Sequence, residues 1–280
     1  MRIRALAWNL YHGRDHPPDP ALLSWRSRLL RISERNATHL QVNRDLRGQF
    51  AVMLAASPWD VALLQECPPR WCEPLAAACG AQAHRELTSR NSLAALRNLG
   101  AWLNPDLIAS NEGGSNLTLV RGEIVERRRL VVRCGPDPER RVMALTRVRL
   151  GGRAGELCTA NLHLSSGRSR QAYAEQETRL AAARACDWAG GAPLLIAGDF
   201  NLRPGESRVF EELASAHAIE GATAADAIDH ILSRGLEVVE PAHRWPPARR
   251  EVGQGGLAIR LSDHAPVEAE FAVATGRGVR

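Results

Sequence analysis

Apolar and polar positions alternate over Arg2 to Asn9, which predicts a half-buried strand that delivers Asn9 at its end, just before Tyr11-His12-Gly13. Two other runs are apolar throughout: Asp60-Val61-Ala62-Leu63-Leu64-Gln65-Glu66 and Pro193-Leu194-Leu195-Ile196-Ala197-Gly198-Asp199-Phe200-Asn201. Runs of this length without alternation predict strands buried on both faces. Each ends in an acid, and a carboxylate closing an interior strand costs stability unless it is paired or binds a cation. Continued as an extended segment, the second run turns Asp199 and Asn201 one way and Phe200 the other. An Asx turn through Asn201 and Pro204 is the structural alternative.

Between these runs, residues 14–56 read as a helical, arginine-rich segment. A proline-punctuated loop from Arg14 to Pro20 leads into a helical pattern from Leu22 to about Ala56, in which Arg26, Arg28, Arg31 and Arg35 interleave with Leu29, Leu30 and Ile32. A solvated helix face is the default reading of those arginines, and contact with a nucleic-acid backbone is the alternative. Trp71 to Ala109 is alanine- and leucine-rich and predicts helices and connectors. A loop at Asn111 to Gly114 follows, then strands at Ser115 to Val120, Leu130 to Arg133 and Arg141 to Leu150. The glycine-rich turn Gly151 to Gly155 leads back into Glu156 to Leu164, an antiparallel hairpin, so the sheet is not purely parallel. A long alanine-rich helix spans Arg170 to Ala189, a short one passes through Val209, Phe210 and Leu213, and strands follow at Ala227 to Leu232 and Val267 to Val273. Glu240 to Gly256, rich in proline and glycine, predicts a loop. No repeat or linker divides the chain. One domain over 1–280, with a short tail at 274–280, is the simpler account.

Composition changes this picture little. The chain has 45% hydrophobic and 24% charged residues, ordinary globular values that exclude disorder and collagen-like classes. No run approaches a membrane span, and the residues around Arg2 to Asn9 do not resemble a secretion signal, so a cytoplasmic monomer is expected. The net charge of +5 would suit a polyanion, but all 36 basic residues are arginine, a bias that looks more like codon usage than a phosphate clamp. The six cysteines lack metal-ligand spacing, so reduced thiols are expected, with a Cys67–Cys72 disulfide as the alternative.

The candidate chemistry sits at strand ends and adjacent turns: Asn9, Glu66, Asn161 with His163, Asp199 with Asn201, Asp229, and Asp263 with His264. Oxygen donors without a Cys/His cluster suit Mg²⁺ or Mn²⁺ rather than structural zinc. The remaining acids and histidines could then move protons at a phosphate ester whose charge the cation offsets. His12 and His16 read as loop histidines, and His230 falls on the face opposite Asp229.

Seven stretches in order resemble the endonuclease/exonuclease/phosphatase superfamily: Trp8-Asn9, Leu64-Gln65-Glu66, Gly114-Ser115-Asn116-Leu117, Asn161-Leu162-His163-Leu164, Gly198-Asp199-Phe200-Asn201, Ile228-Asp229-His230 and Ser262-Asp263-His264-Ala265-Pro266. The resemblance implies an α/β fold, a four-layer α/β/β/α sandwich of two mixed, largely antiparallel sheets flanked by helices. It implies Glu66 as main metal ligand with Asn9 and Asp263 near the ion, and Asp199 as the group that orients or deprotonates the attacking water. Asn201 would hold a phosphate oxygen, and His264, oriented by Asp229, would contact the phosphate. His163 would stabilise developing charge or assist the leaving group, with Asn116 and Asn161 supporting. Asn116 could equally be a turn cap. The apurinic endonucleases of the superfamily carry a tyrosine where this chain has Asn161-Leu162-His163, which counts against abasic-site repair. The expected activity is Mg²⁺- or Mn²⁺-dependent hydrolysis of a phosphate ester. A DNA or RNA phosphodiester is slightly favoured over a small-molecule or lipid-headgroup phosphate, and a non-catalytic nucleic-acid- or protein-binding module is a third reading.

Overall fold

Two apolar seams and one shared interior organise the molecule. The computed structural model describes residues 2–30, 32–42, 44–88, 114–136, 140–151 and 155–273. In chain order the strands are β1 (Arg2–Asn9), β2 (Glu34–Arg35), β3 (Leu40–Gln41), β4 (Val61–Gln65), β5 (Gln82–Leu87), β6 (Ser115–Val120), β7 (Glu123–Val131), β8 (Val142–Arg149), β9 (Glu156–His163), β10 (Leu194–Asp199), β11 (Asp229–Arg234), β12 (Leu236–Arg244), β13 (Glu251–Gln254), β14 (Leu257–Arg260) and β15 (Val267–Val273). The α-helices are α1 (Trp25–Leu30), α2 (Arg47–Ala56), α3 (Cys72–Cys79), α4 (Gln171–Ala189) and α5 (Val209–His217).

One six-stranded sheet runs β12-β15-β1-β4-β6-β5, and one five-stranded sheet runs β11-β10-β9-β8-β7. Among the described residues of these two sheets, only β1 with β4 and β9 with β10 pair in parallel, so both sheets are mixed and largely antiparallel. Side-chain alternation explains why the two all-apolar runs are strands. In β10, Leu195 and Ala197 join Ile3, Ala5, Ala7, Val61, Leu63, Leu157 and Ile231 in the layer between the sheets. Leu194 and Ile196 turn the other way, onto Ala174, Ala181 and Ala185 of α4 and Val209 and Leu213 of α5. Leu6, Trp8 and Leu64 likewise turn outward onto Phe50 and Leu54 of α2 and Leu75 of α3. Helices, sheet, sheet, helices make the four-layer sandwich. Both faces of β1, β4 and β10 are buried, which is why these strands are apolar at nearly every position.

Four expectations need correction. Residues 22–56 are not one helical stretch: α1 and α2 are separated by the ribbon of β2 and β3. Asn36 makes that ribbon's turn, its Oδ1 accepting from the Thr38 and His39 amides at 2.9 and 2.7 Å, a local bond that competes with helix. Trp25, Leu29, Leu30 and Ile32 are exposed, so the 3.6-residue pattern has no core to face. Glu240 to Gly256 is not loop: it carries the end of β12, all of β13 and the turn into β14. Pro241 is tolerated because β12 lies at a sheet edge, and Gly255-Gly256, both with positive φ, form the two-residue turn between β13 and β14. In Trp71 to Ala109, α3 is followed by strand β5 rather than further helix, and β7 begins at Glu123, earlier than Leu130.

The β8–β9 hairpin is antiparallel as expected. The expectations for Asn111–Gly113, for residues 89–109, for the turn residues 152–154 and for the tail 274–280 fall outside the described residues. All six cysteines are free. Among the described residues no helix is long and apolar enough to cross a membrane.

Candidate active site

The inter-sheet layer ends in polar residues at one edge. Positions 3, 5 and 7 of β1, 61 and 63 of β4, 157 of β9, 195 and 197 of β10 and 231 of β11 face that layer with apolar side chains. The same alternation brings Asn9, Gln65, Asn161, His163, Asp199 and Asp229 to it, because residues two apart share a face. One continuous seam therefore changes from hydrocarbon to amide, imidazole and carboxylate where these strands terminate.

Glu66 reaches the cluster by a different route. It follows β4 with φ +49°, and the buried Cys67 behind it exchanges backbone hydrogen bonds with Ser115, both at 3.0 Å. That pairing fixes the chain on either side of a left-handed residue and turns the carboxylate into the site. Tyr11, His12, Asn201 and Ser262, all flanking the site, are left-handed as well. Non-glycine residues adopt this region rarely, and clusters of them mark constrained sites. Gly198 has φ +142°, and a Cβ there would lie 2.0 Å from the Leu162 carbonyl oxygen, so only glycine lets β10 pass β9 just before Asp199.

Asn9 links the two acids. Its Nδ2 donates to Glu66 Oε1 and to Asp199 Oδ2, both at 3.1 Å, while its Oδ1 accepts from the Tyr11 amide at 3.0 Å. His163 Nε2 lies 3.8 Å from Glu66 Oε1 and 3.6 Å from Asp199 Oδ2. On the far side of Asp199, His264 Nδ1 bonds Asp229 Oδ2 at 2.7 Å, which leaves Nε2 turned toward Asp199 Oδ2 at 3.8 Å.

These surroundings separate the proton affinities. Burial alone would raise Glu66, but His12, His163 and the Asn9 hydrogen bond hold it well below the usual carboxylate range. Burial pushes Asp199 up to about 7, helped by the nearby charges of Asp229 and Glu66 and opposed by His264. Burial also pushes His163 down to about 3, helped by Arg141, so its imidazole is neutral. His264 goes the other way: burial opposes its charge, but Asp229 and Asp199 raise it to about 10.

The other expected residues divide into two groups. Asn116 and Asn161 tie the sheets together from within: Asn161 Oδ1 accepts from Gln65 Nε2 at 2.7 Å and its Nδ2 donates to the Leu64 carbonyl at 3.2 Å. Asn116 Nδ2 donates to the Val142 carbonyl at 2.7 Å. Asn201 and Asp263 stand at the rim. The strand stops at Asp199, so alternation does not extend to Asn201; its amide donates to Asp199 Oδ1 at 2.9 Å and its Nδ2 to the Leu164 carbonyl at 3.1 Å. Asp263 is exposed, 3.9 Å from His264 Nε2. His230 turns away onto Phe200 and Phe210.

Residues 6–264 match the model of the Endonuclease/Exonuclease/phosphatase family. The chain belongs to that family. Its members are hydrolytic phosphoesterases, generally dependent on divalent metal. The fold is shared with the human Nocturnin catalytic domain with bound sulfate anion (TM-score 0.64, 16% identity, covering 97% of this chain and 93% of that one). It is also shared with the Bacteroides thetaiotaomicron mannosyl-6-phosphatase (0.62, 15%, 96% and 99%) and with Caenorhabditis elegans TDP2 (0.59, 16%, 97% and 98%). No curated protein matches the chain.

Sequence reasoning missed three residues that stand in or behind this cluster. His12, read as a loop histidine, places Nε2 3.0 Å from Glu66 Oε2. Ser262 Oγ donates to the Asn9 carbonyl at 2.7 Å and accepts from the His264 amide at 3.0 Å, joining the first strand to the histidine turn. Arg250 is buried and its Nη1 donates to the carbonyls of Leu261 and His264 at 3.2 and 3.1 Å, holding that turn from behind. Ser262 was within reach through its place in the Ser-Asp-His-Ala-Pro string. Arg250 falls in the stretch read as loop, where no motif marks it.

Proposed function

We propose that this protein hydrolyses phosphate esters with Mg²⁺ or Mn²⁺, within one domain, by attack of a water that Asp199 deprotonates. The observation that carries this reading is the opposed tuning of two acids joined by one amide, Asn9, with Glu66 anionic and Asp199 close to neutrality in proton affinity. An acid meant to hold a cation should be ionised, and an acid meant to take a proton at neutral pH should titrate there.

Glu66 is the residue that would hold the divalent cation, with Asn9 Oδ1 and the rim acid Asp263 as further oxygen donors. The donor chemistry fits, since ionised carboxylate and amide oxygens suit Mg²⁺ or Mn²⁺. Asp199, Asp229 and His264 also present donor atoms within 4.8 Å of one another. Their chemistry fits a cation less well, because Nδ1 of His264 is engaged with Asp229 and an imidazolium has no free lone pair. The cation would supply positive charge against the phosphate.

The chain's own groups do the rest. Asp199 accepts the water's proton at Oδ2. Asp229 fixes the His264 ring, whose charged Nε2–H would donate to a phosphate oxygen. Neutral His163, beside both acids, would donate a hydrogen bond to a phosphate oxygen on which charge builds. Asn201, with one Nδ2 hydrogen beyond its bond to Leu164, would bind a further phosphate oxygen.

A nucleic-acid phosphodiester is the favoured substrate. Trp25 stands 72% exposed beside the exposed Arg26, and an aromatic platform with arginine is how single strands are held without base-specific contacts. A small phosphomonoester is the second reading, in keeping with the name of the mannosyl-6-phosphatase neighbour. The test is hydrolysis of bis-(p-nitrophenyl) phosphate, p-nitrophenyl phosphate, and single-stranded and duplex DNA, with Mg²⁺, Mn²⁺ or EDTA. Metal-dependent turnover that disappears in Asp199→Asn supports the reading; turnover that survives EDTA or Asp199→Asn overturns it. Binding of DNA without any hydrolysis would favour a binding module.

A further inference from the structure

Each oxygen of the Glu66 carboxylate has a nitrogen neighbour, and the two neighbours are chemically unlike. Oε1 accepts from the side-chain amide of Asn9 at 3.1 Å. Oε2 faces the imidazole of His12, with Nε2 at 3.0 Å. An amide nitrogen can only donate, because its lone pair is delocalised; an imidazole nitrogen can either donate a hydrogen bond or give its lone pair to a metal. Of these two nitrogens, only that of His12 can also bind a cation beside Glu66.

The spacing fits that use. Two donors each about 2.1 Å from one six-coordinate ion, at right angles, lie about 3.0 Å apart. His163, the other imidazole near Glu66, is farther, at 3.8 Å, and approaches Oε1, where the Asn9 amide already donates. His12 is also held where it is. Its backbone is left-handed (φ 53°, ψ 23°), it follows left-handed Tyr11, and it precedes Gly13, where a Cβ would meet the Trp71 ring at 2.2 Å. The His12 side chain is only 12% exposed. Tyr11-His12-Gly13 is thus a tight loop seated on Trp71 that presents one imidazole to one carboxylate oxygen.

We infer that His12 is a nitrogen ligand beside Glu66, which makes this a mixed nitrogen–oxygen cation site that favours Mn²⁺ over Mg²⁺. Carboxylate, carbonyl and water donors serve Mg²⁺ well, whereas an imidazole adds more to the binding of a first-row transition ion. The inference rests on the reading that Glu66 holds the metal, and goes beyond it by naming a ligand and a metal preference that the oxygen donors alone would not give.

The test reads binding, not turnover. Metal-free protein is titrated with MnCl₂ and separately with MgCl₂ by calorimetry, with free Mn²⁺ counted independently by its electron paramagnetic resonance signal. Wild type is compared with His12→Ala, His12→Gln and Glu66→Gln, each first checked for a cooperative thermal transition without metal. His12→Gln keeps a hydrogen-bond donor toward Glu66 but removes the imidazole, so it carries the test if His12→Ala does not fold. The expected result is a Mn²⁺ affinity lowered about tenfold or more in both His12 variants, with Mg²⁺ affinity changed much less. Equal losses for the two metals that His12→Gln restores would reduce His12 to a hydrogen-bond donor and overturn the inference, as would unchanged affinities. Unchanged binding in Glu66→Gln would instead overturn the underlying reading that the metal sits at Glu66.

Discussion

Glu66 and Asp199 end two interior strands, one in each sheet, and a single asparagine amide touches both, yet they are opposite in chemistry. Glu66 sits on a left-handed turn with its side chain 18% exposed and two imidazoles near it. Asp199 is in line with its strand, 2% exposed, and has Asp229 and Glu66 among its neighbours. Both carboxylates feel burial as the largest influence. What differs is the nearby charge: at Glu66 the imidazoles of His12 and His163 overcome burial, whereas at Asp199 the opposing imidazole of His264 is met by the like charges of Asp229 and Glu66, and burial prevails. Two side chains of one functional type are therefore divided between holding charge and moving a proton by their surroundings alone.

The comparison can be broken most sharply by removing the acids one at a time. Asp199→Asn is expected to lower kcat by about 10²- to 10⁴-fold while leaving metal affinity near the wild-type value, because a general base contributes on that scale. Glu66→Gln is expected to do the reverse in binding, with affinity lost in a calorimetric titration. Equal loss of metal affinity in both variants would erase the division.

A smaller effect is expected from the pH profile. Asp199 accepts a proton only when ionised, so kcat/KM should climb as pH rises through about 7. A bound cation near Glu66 adds positive charge and moves the midpoint to lower pH; a profile flat from pH 5 to 8 would contradict the role given to Asp199. Stability should show the matching sign at His264. Its folded pKa of about 10 lies above its ordinary value near 6.5, so its contribution is full below pH 6.5 and fades as pH rises toward 10. The melting temperature lost in His264→Ala should accordingly be larger at pH 6 than at pH 10.

The smallest expected effect lies behind both acids. Asn161→Ala removes the amide that joins Gln65 and the Leu64 carbonyl to the second sheet, and should cost about 1–3 kcal/mol of unfolding free energy, because buried partners lose their bonds. Urea unfolding measures it. Activity per folded molecule should fall far less than in Asp199→Asn.

The same division explains what could be read from the sequence. Residues on the seam were legible because they follow strand alternation: Asn9, Asn161 with His163, Asp199 and Asp229 sit at or beside the ends of apolar runs. The two buried strands and the β8–β9 hairpin were legible for the same reason. Residues that reach the site through turns were harder. Asn201 was assigned a strand face it does not have, since the backbone turns left-handed there. His12 was set aside because nothing local distinguishes a loop histidine from one that meets a carboxylate 54 positions later in the chain. The ribbon of β2 and β3 and the strands between Leu236 and Arg260 were missed because they are short or lie at edges, where hydrophobic pattern is weak and turn chemistry at Asn36 and Gly255-Gly256 decides.

The left-handed residues Tyr11, His12, Glu66, Asn201 and Ser262 bear on how such a site can diversify. Valine, isoleucine and threonine fit that backbone region worst, because a branched Cβ crowds the carbonyl. At these five positions, many single-step replacements fail for backbone reasons before any chemistry is tried. Variation is channelled to exposed side chains such as Trp25, Leu29, Leu30, Ile32 and Val238, where no such filter applies. A lineage built on this chain would vary first at such exposed positions, while the floor of the site stayed as it is.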